Sequence, residues 1–133
     1  MDLSQLGTRE KSEEGAVLEI MDPKTHTPFL GYNDIPVTIT LKGADCREFK
    51  AMQYRQSDKF FRNGKMKMSA AQLADAAIKT LAKMTIAWTG VSVNGEELPC
   101  TEANAEMIYR EYETVRQQVD EFVNDLENFL GNA

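Results

Sequence analysis

Ile108, Tyr112, Val115, Val119, Phe122, Leu126 and Phe129 recur at spacings of 4, 3, 4, 3, 4 and 3, which is three heptads of a and d positions. Among 133 residues nothing else limits the fold as much, because a stripe of this period is helical and its apolar edge has to be covered. Glu111, Glu113, Gln117, Gln118, Asp120, Asp125 and Glu127 form the solvated face around it. In a small domain such a seam usually packs on the chain's own core. Its other use is to hold a partner helix or a second copy, and different parts of one stripe can do both.

Two more helices precede it. Asp45 with Glu48 has the form of a capping box and predicts a helix from about 46 to 61, with Phe49, Met52, Gln53, Gln56 and Phe60 on one stripe and Asn63-Gly64 at its end. Ser69 with Gln72 is a full capping box, and the helix it opens carries Leu73, Ala77, Leu81, Met84 and Trp88 on one face as far as Thr89-Gly90. Leu73, Ile78, Leu81, Met84 and Trp88 are the expected centre of the core, with Trp88 largely buried. Asn94-Gly95 is the type I′ turn signal, Pro99 blocks immediate helical continuation, and Thr101 is the next N-cap, with Glu102 and Glu106 in the first turns.

Strand signals lie in the N-terminal third. Ala16 to Met21 is short, apolar and stopped by Asp22-Pro23, while Val37, Ile39 and Leu41 alternate with Thr38 and Thr40. Pro28, Gly31 and Asn33 turn the chain between them, so a β-hairpin over about 16 to 42 is expected, and it needs a body packed on its apolar face. The fold class is therefore α+β: an N-terminal hairpin on three to five helices, ending in a long amphipathic helix or helix pair. Residues 1 to 14 are polar and charged and read as a flexible arm before a single domain over 15 to 130.

A hydrophobic fraction of 42% with 27% charged residues is ordinary for a globular domain. No apolar run approaches a membrane span or the h-region of a signal peptide, so no membrane association is expected. Cys46 and Cys100 lack metal-ligand spacing and suggest a reducing cytosol. Catalysis is not expected: His26 is the only histidine, the eight glycines are scattered as turns rather than forming a phosphate cradle, and the adjacent acids Glu13-Glu14 and Glu96-Glu97 read as solvated. Neither a cofactor nor a metal is implied.

Charge is segregated. Residues 42 to 67 hold 8 basic against 3 acidic side chains, and residues 101 to 133 hold 2 basic against 8 acidic, within a total of -6. Opposite patches on one small molecule attract, within a chain or between copies, which makes a ring or spiral homo-oligomer an expectation. Tyr54, Phe60 and Phe61 among the lysines and arginines raise nucleic-acid binding, but Phe49, Met52 and Phe60 share a helical stripe, and the acidic total argues against it. The candidate interaction residues are Val119, Phe122, Leu126 and Phe129 on the seam, and Lys50, Lys59 and Arg62 on the basic segment.

The stretch Ile86-Ala87-Trp88-Thr89-Gly90-Val91, then Asn94-Gly95-Glu96-Glu97-Leu98-Pro99, then Thr101-Glu102-Ala103-Asn104-Ala105, resembles the Trp, Gly, short turn, Pro, helix-cap pattern of tailed-bacteriophage tail assembly chaperones. The ending is similar, with Gln117 to Phe122 followed by Asn128-Phe129-Leu130, and so are Leu18 to Pro23, Pro36 to Gly43 and Ala44-Asp45; together they cover about 16 to 130. The resemblance implies a non-enzymatic protein of the host cytoplasm that coats the phage tape measure protein, helps recruit the major tail tube protein, and is absent from the mature virion. It also implies that many relatives carry a frameshifted C-terminal extension. The alternative from another class is a minor structural virion protein, a tail or connector component.

Overall fold

Thr38–Leu41 (β2) is the middle strand of a three-stranded antiparallel sheet in the computed structural model, which describes the backbone of residues 2–63 and 69–130 and the side chains of 2–55 and 69–130. Ala16–Glu19 (β1) and Thr85–Thr89 (β3) flank it. The alternation that marks β2 holds: Ile39 and Leu41 are buried, and Thr38 and Thr40 lie on the other face. Leu18, Ile39 and Trp88 are in register across the sheet and pack on the core. The five α-helices of the described residues are Arg9–Glu14 (α1), Arg47–Asn63 (α2), Ala70–Met84 (α3), Glu102–Glu111 (α4) and Glu113–Asn124 (α5). The molecule is thus α+β, with an N-terminal hairpin on a helical body.

Several local signals act as their chemistry dictates. Ser69 and Gln72 exchange both capping-box hydrogen bonds, at 2.9 and 3.2 Å. The Thr101 hydroxyl accepts from the Asn104 N–H at 3.1 Å to open α4. Asn94 and Gly95, with φ of 53° and 84°, turn Ser92–Val93 (β4) into Glu96–Glu97 (β5).

The helix opened by Ser69 ends sooner than its stripe suggests. It stops at Met84, and Trp88 stands on β3 rather than on the helix face. A spacing of four between Met84 and Trp88 fits a helix and a strand equally, since four is also even; the β-branched Thr85 and Ile86 and the open edge of β2 decide for the strand. Trp88 is half-buried rather than largely buried, and its Nε1–H donates to the Leu98 carbonyl at 2.8 Å. Ile78, Leu81 and Met84 are buried as expected, whereas Leu73 is only partly so. The Tyr109 hydroxyl, fully buried, meets the Thr85 hydroxyl at 2.6 Å and ties α4 to the start of β3.

The heptad seam is a helix pair and a turn, not one rod. Tyr112 (φ -117°, ψ 87°) separates α4 from α5, and Asp125 (φ -90°, ψ 93°) leads from α5 into a 3-10 turn over Leu126–Phe129. Tyr, Thr and Val at 112, 114 and 115 are weak helix formers, which suits a break there.

Within the arm expected over 1 to 14, the described residues 2 to 14 are not free throughout. Ser12 on α1 is fully buried, its carbonyl accepts from the Gly43 N–H at 3.0 Å, and α1 packs on the Leu126–Phe129 turn. Gly43 is a close approach rather than only a turn: a Cβ there would meet Ser12 Oγ at 2.6 Å and the Phe129 ring at 2.8 Å. Capping at α2 also differs from expectation. Asp45 accepts from the Thr8 hydroxyl at 2.8 Å, and it is Glu13 Oε1, from α1, that takes the Arg47 N–H at 2.6 Å. The expected helix end at Gly64 and the stripe positions Gln56 and Phe60 lie outside the described residues and side chains.

Candidate functional site

An apolar groove opens where the sheet, the loop after β1 and the α4–α5 break meet. Ile20, Val37 and Ile39 form its floor, Trp88, Val91 and Val93 one wall, and Ile108, Tyr112 and Val115 the other, with Phe29 at the edge. Its free volume is about 270 Å³, and no lining residue is charged. Gln118 on α5 fixes the loop against the helix pair: its side-chain amide accepts from the Met21 N–H at 2.8 Å and donates to the Met21 carbonyl at 2.9 Å, as a neighbouring strand would. The far end of the loop is fixed where Gly31 crosses Gly90, with the Tyr32 N–H donating to the Gly90 carbonyl at 2.9 Å. A Cβ on Gly31 would run into that carbonyl, and Gly90 has φ +69°, so both positions require glycine. Of the groove residues, Phe29 and Tyr112 are exposed by 46 and 44%, and Leu30 and Ile35 on the same loop are exposed as well.

A second groove, polar and about 650 Å³ in volume, lies between α1 and α2. Arg9, Arg47, Lys50 and the exposed Tyr54 line it, with Glu13, Asp45 and Cys46 on its inner side. Glu13 and Asp45 are engaged by the Arg47 N–H and the Thr8 hydroxyl, while no ion pair among the described residues involves Arg9, Arg47 or Lys50. At the inner edge Lys42 joins Glu48 at 2.9 Å and Glu13 at 3.5 Å. The hydrogen bond to Glu48 holds the Lys42 pKa above its ordinary value despite partial burial. Burial works against the charge of Glu48, but the hydrogen bonds from Lys42, the backbone and Cys46 outweigh it and leave that carboxyl below its ordinary value.

The candidate residues read from the sequence divide accordingly. Val119 and Phe129 are buried in the chain's own core and offer no surface; Phe122 is half-buried, edge-on to the Phe129 ring at 5.6 Å; Leu126 alone of the four is exposed. Lys50 lines the polar groove. The side chains of Lys59 and Arg62 lie outside those described. Phe29, Tyr112 and Trp88, which the structure brings together, carry no joint signal in the sequence, though the apolar Phe29, Leu30 and Ile35 within a turn-rich loop are unusual for a solvated connection.

Both cysteines are free, and burial pushes the Cys46 thiol up to about 11 and raises Cys100, so neither is a ready thiolate near neutral pH. Among the described residues no group of three or more His, Cys, Asp or Glu is placed to hold a metal ion, and no helix is long and apolar enough to cross a membrane. What the arrangement offers is two surfaces of different character, one apolar and one lined by three cations and two carboxylates. Compared with protein-family models, curated proteins and solved structures, the chain finds no match.

Proposed function

We propose that this chain is a non-enzymatic tail assembly chaperone of a tailed bacteriophage, acting in the host cytoplasm to hold the tape measure protein soluble and to help recruit the major tail tube protein, and absent from the mature virion. The observation that carries the reading is the open apolar groove. A protein that keeps long apolar stripes of a client from aggregating has to present apolar surface of its own within a charged exterior. The groove does so on a frame set by the sheet, Gln118 and the α4–α5 break, and the resemblance of Trp88-Thr89-Gly90 through Thr101 to tail assembly chaperones supports the tape measure protein as the client.

The test is co-expression with the tape measure protein of the same phage. The client is expected to be soluble and to co-purify with the wild-type chain, and to be lost from Phe29→Ser, a substitution at an exposed groove residue that should leave circular dichroism unchanged. Recovery of this chain at fixed stoichiometry from purified particles would replace the reading with that of a minor structural virion protein.

A further inference from the structure

α1 is tied to the folded body without a single apolar side chain. Its six residues are Arg9, Glu10, Lys11, Ser12, Glu13 and Glu14, and Leu3 and Leu6 before it are both exposed. What holds it is polar: the Thr8 hydroxyl donates to Asp45 at 2.8 Å, the Ser12 carbonyl accepts from the Gly43 N–H at 3.0 Å, and Glu13 accepts from the Arg47 N–H at 2.6 Å and pairs with Lys42 at 3.5 Å. A groove, rather than packed side chains, lies between α1 and α2. One buried group works against the docking. Ser12 is fully buried, yet its Oγ has no hydrogen-bond partner among the described residues, and a hydroxyl taken from water without a partner favours the undocked state.

We propose that α1 is a strap that releases from the body as one unit while the sheet and the other helices stay folded. Six residues are too few for a helix to hold itself, so once the ties to Gly43, Asp45 and Arg47 part, α1 melts as it leaves. Gly15, at φ +94°, is the joint to β1. The release uncovers little apolar surface, chiefly the side of the Phe129 ring at which Ser12 and Gly43 meet, so it costs far less than unfolding the core. What the strap controls is that end of the seam: Phe129 is closed while α1 is docked and open from this side when it is not. The motion is independent of the client reading above.

Amide hydrogen exchange of the full chain, followed residue by residue in sub-denaturing urea, tests the strap, because three consecutive amides have different partners. The Lys42 N–H donates to Met84 and the Ala44 N–H to Val123, both in the body, while the Gly43 N–H between them donates to Ser12. Gly43 and Arg47 are expected to exchange through the same opening as Ser12 and Gly15, whose amides bond to Thr8 and Lys11. All four should be at least about a hundredfold less protected than Lys42 and Ala44, with a shallow urea dependence that reflects the small area exposed. Ser12→Ala deletes the unpartnered hydroxyl and should slow the four by roughly tenfold, whereas Glu13→Ala should speed them. Lys42 and Ala44 report in the same spectra that each variant is folded. A Gly43 amide with the urea slope of Lys42 and Ala44 would show that α1 leaves only when the whole chain unfolds. Rates at Ser12 and Gly15 that part from those at Gly43 and Arg47 would show a fraying helix instead of a unit. Either result overturns the proposal, and so does a Ser12→Ala chain in which the four amides are no slower.

Discussion

Phe129 and Tyr112 belong to one apolar seam, yet Phe129 is 1% exposed and Tyr112 44%. The residues around each are similar in kind. At the Phe129 end, α1 returns from the N-terminus and closes over the ring, with Ser12 set against Gly43 so that backbone and ring can approach. At the Tyr112 end, the loop after β1 reaches the helix pair but stops short of closing, held at Met21 by Gln118 and at Tyr32 by Gly90. The period of a stripe thus identifies which side chains want cover; whether they get it is decided by segments far away in the chain. The closed end serves stability, and the open end is the surface that the proposed function uses.

If that division is right, truncation at the two ends must have unequal consequences. Phe129→Ala removes a fully buried ring that also makes an edge-on contact with Phe122, and should cost about 3 to 5 kcal/mol in urea or thermal unfolding. Tyr112→Ala, at an exposed position, should stay within about 1 kcal/mol while weakening client capture. Equal losses at both sites would show that the groove is ordinary core. The same edge-on ring contact means that replacing Phe122 and Leu126 together with Ser should destabilise the chain through Phe122, whereas Leu126→Ser alone should leave it folded.

Next in size is the device that closes the Phe129 end. Gly43→Ala places a methyl against Ser12 Oγ and the Phe129 ring, and such overpacking costs about 1 to 3 kcal/mol. Adding Ser12→Gly should recover part of the loss, and a double mutant no more stable than Gly43→Ala would place the strain in the ring alone.

Much of this molecule is readable locally. Ser69 with Gln72, Thr101, Asn94-Gly95 and the Thr38 to Leu41 alternation each act within a few residues, and each takes the form its chemistry predicts. The misreadings are of two kinds. Trp88 continues a helical spacing that a strand satisfies as well, and only the open edge of β2 distinguishes them. Ser12 and Glu13 sit in a polar stretch that looks unstructured, and their roles appear only through Gly43 and Arg47, some thirty residues on. The groove was least legible of all, because its lining comes from the β1 end, the loop, β2, β3, β4 and the α4–α5 junction. Only Ile108, Tyr112 and Val115 stood out, as part of the heptad stripe; every other segment contributes one or two apolar residues, too few to mark it in any one window.

Glu13 gives a smaller test of the closed end. It caps the Arg47 N–H from another element and pairs with Lys42, so Glu13→Ala should cost about 0.5 to 2 kcal/mol, the range for loss of a helix cap. Its neighbour Glu48 has a lowered pKa in the folded state. A depressed carboxyl contributes stability that is present above its unfolded value of about 4.3 and is lost as pH falls through the lower folded value. Unfolding free energy should therefore decline in that acidic window, and Lys42→Met should flatten the decline. An unchanged acid slope in Lys42→Met would mean that other carboxylates dominate it.

The smallest expected effect concerns the two charged surfaces that neither end uses. The groove between α1 and α2 presents Arg9, Arg47 and Lys50, while α5 presents exposed Asp120 and Glu121 with Asp125 beyond them. These faces differ, so pairing them between copies is head to tail and leads to rings or open spirals rather than closed two-fold dimers. Exposed ion pairs contribute little individually, about 0 to 1 kcal/mol each, so the association should be weak and visible only at high protein concentration. Sedimentation velocity should show the average mass rising with concentration at low salt and falling back as the Debye length shrinks from about 10 Å at 0.1 M to about 3 Å at 1 M. Asp120→Lys with Glu121→Lys should abolish the rise without affecting stability, and mixing that variant with Arg47→Glu, Lys50→Glu should restore it, because each then supplies the charge the other lacks. A wild-type chain that sediments as a monomer at every concentration and salt would leave the charge segregation without a role in self-assembly and assign the basic groove to a different partner.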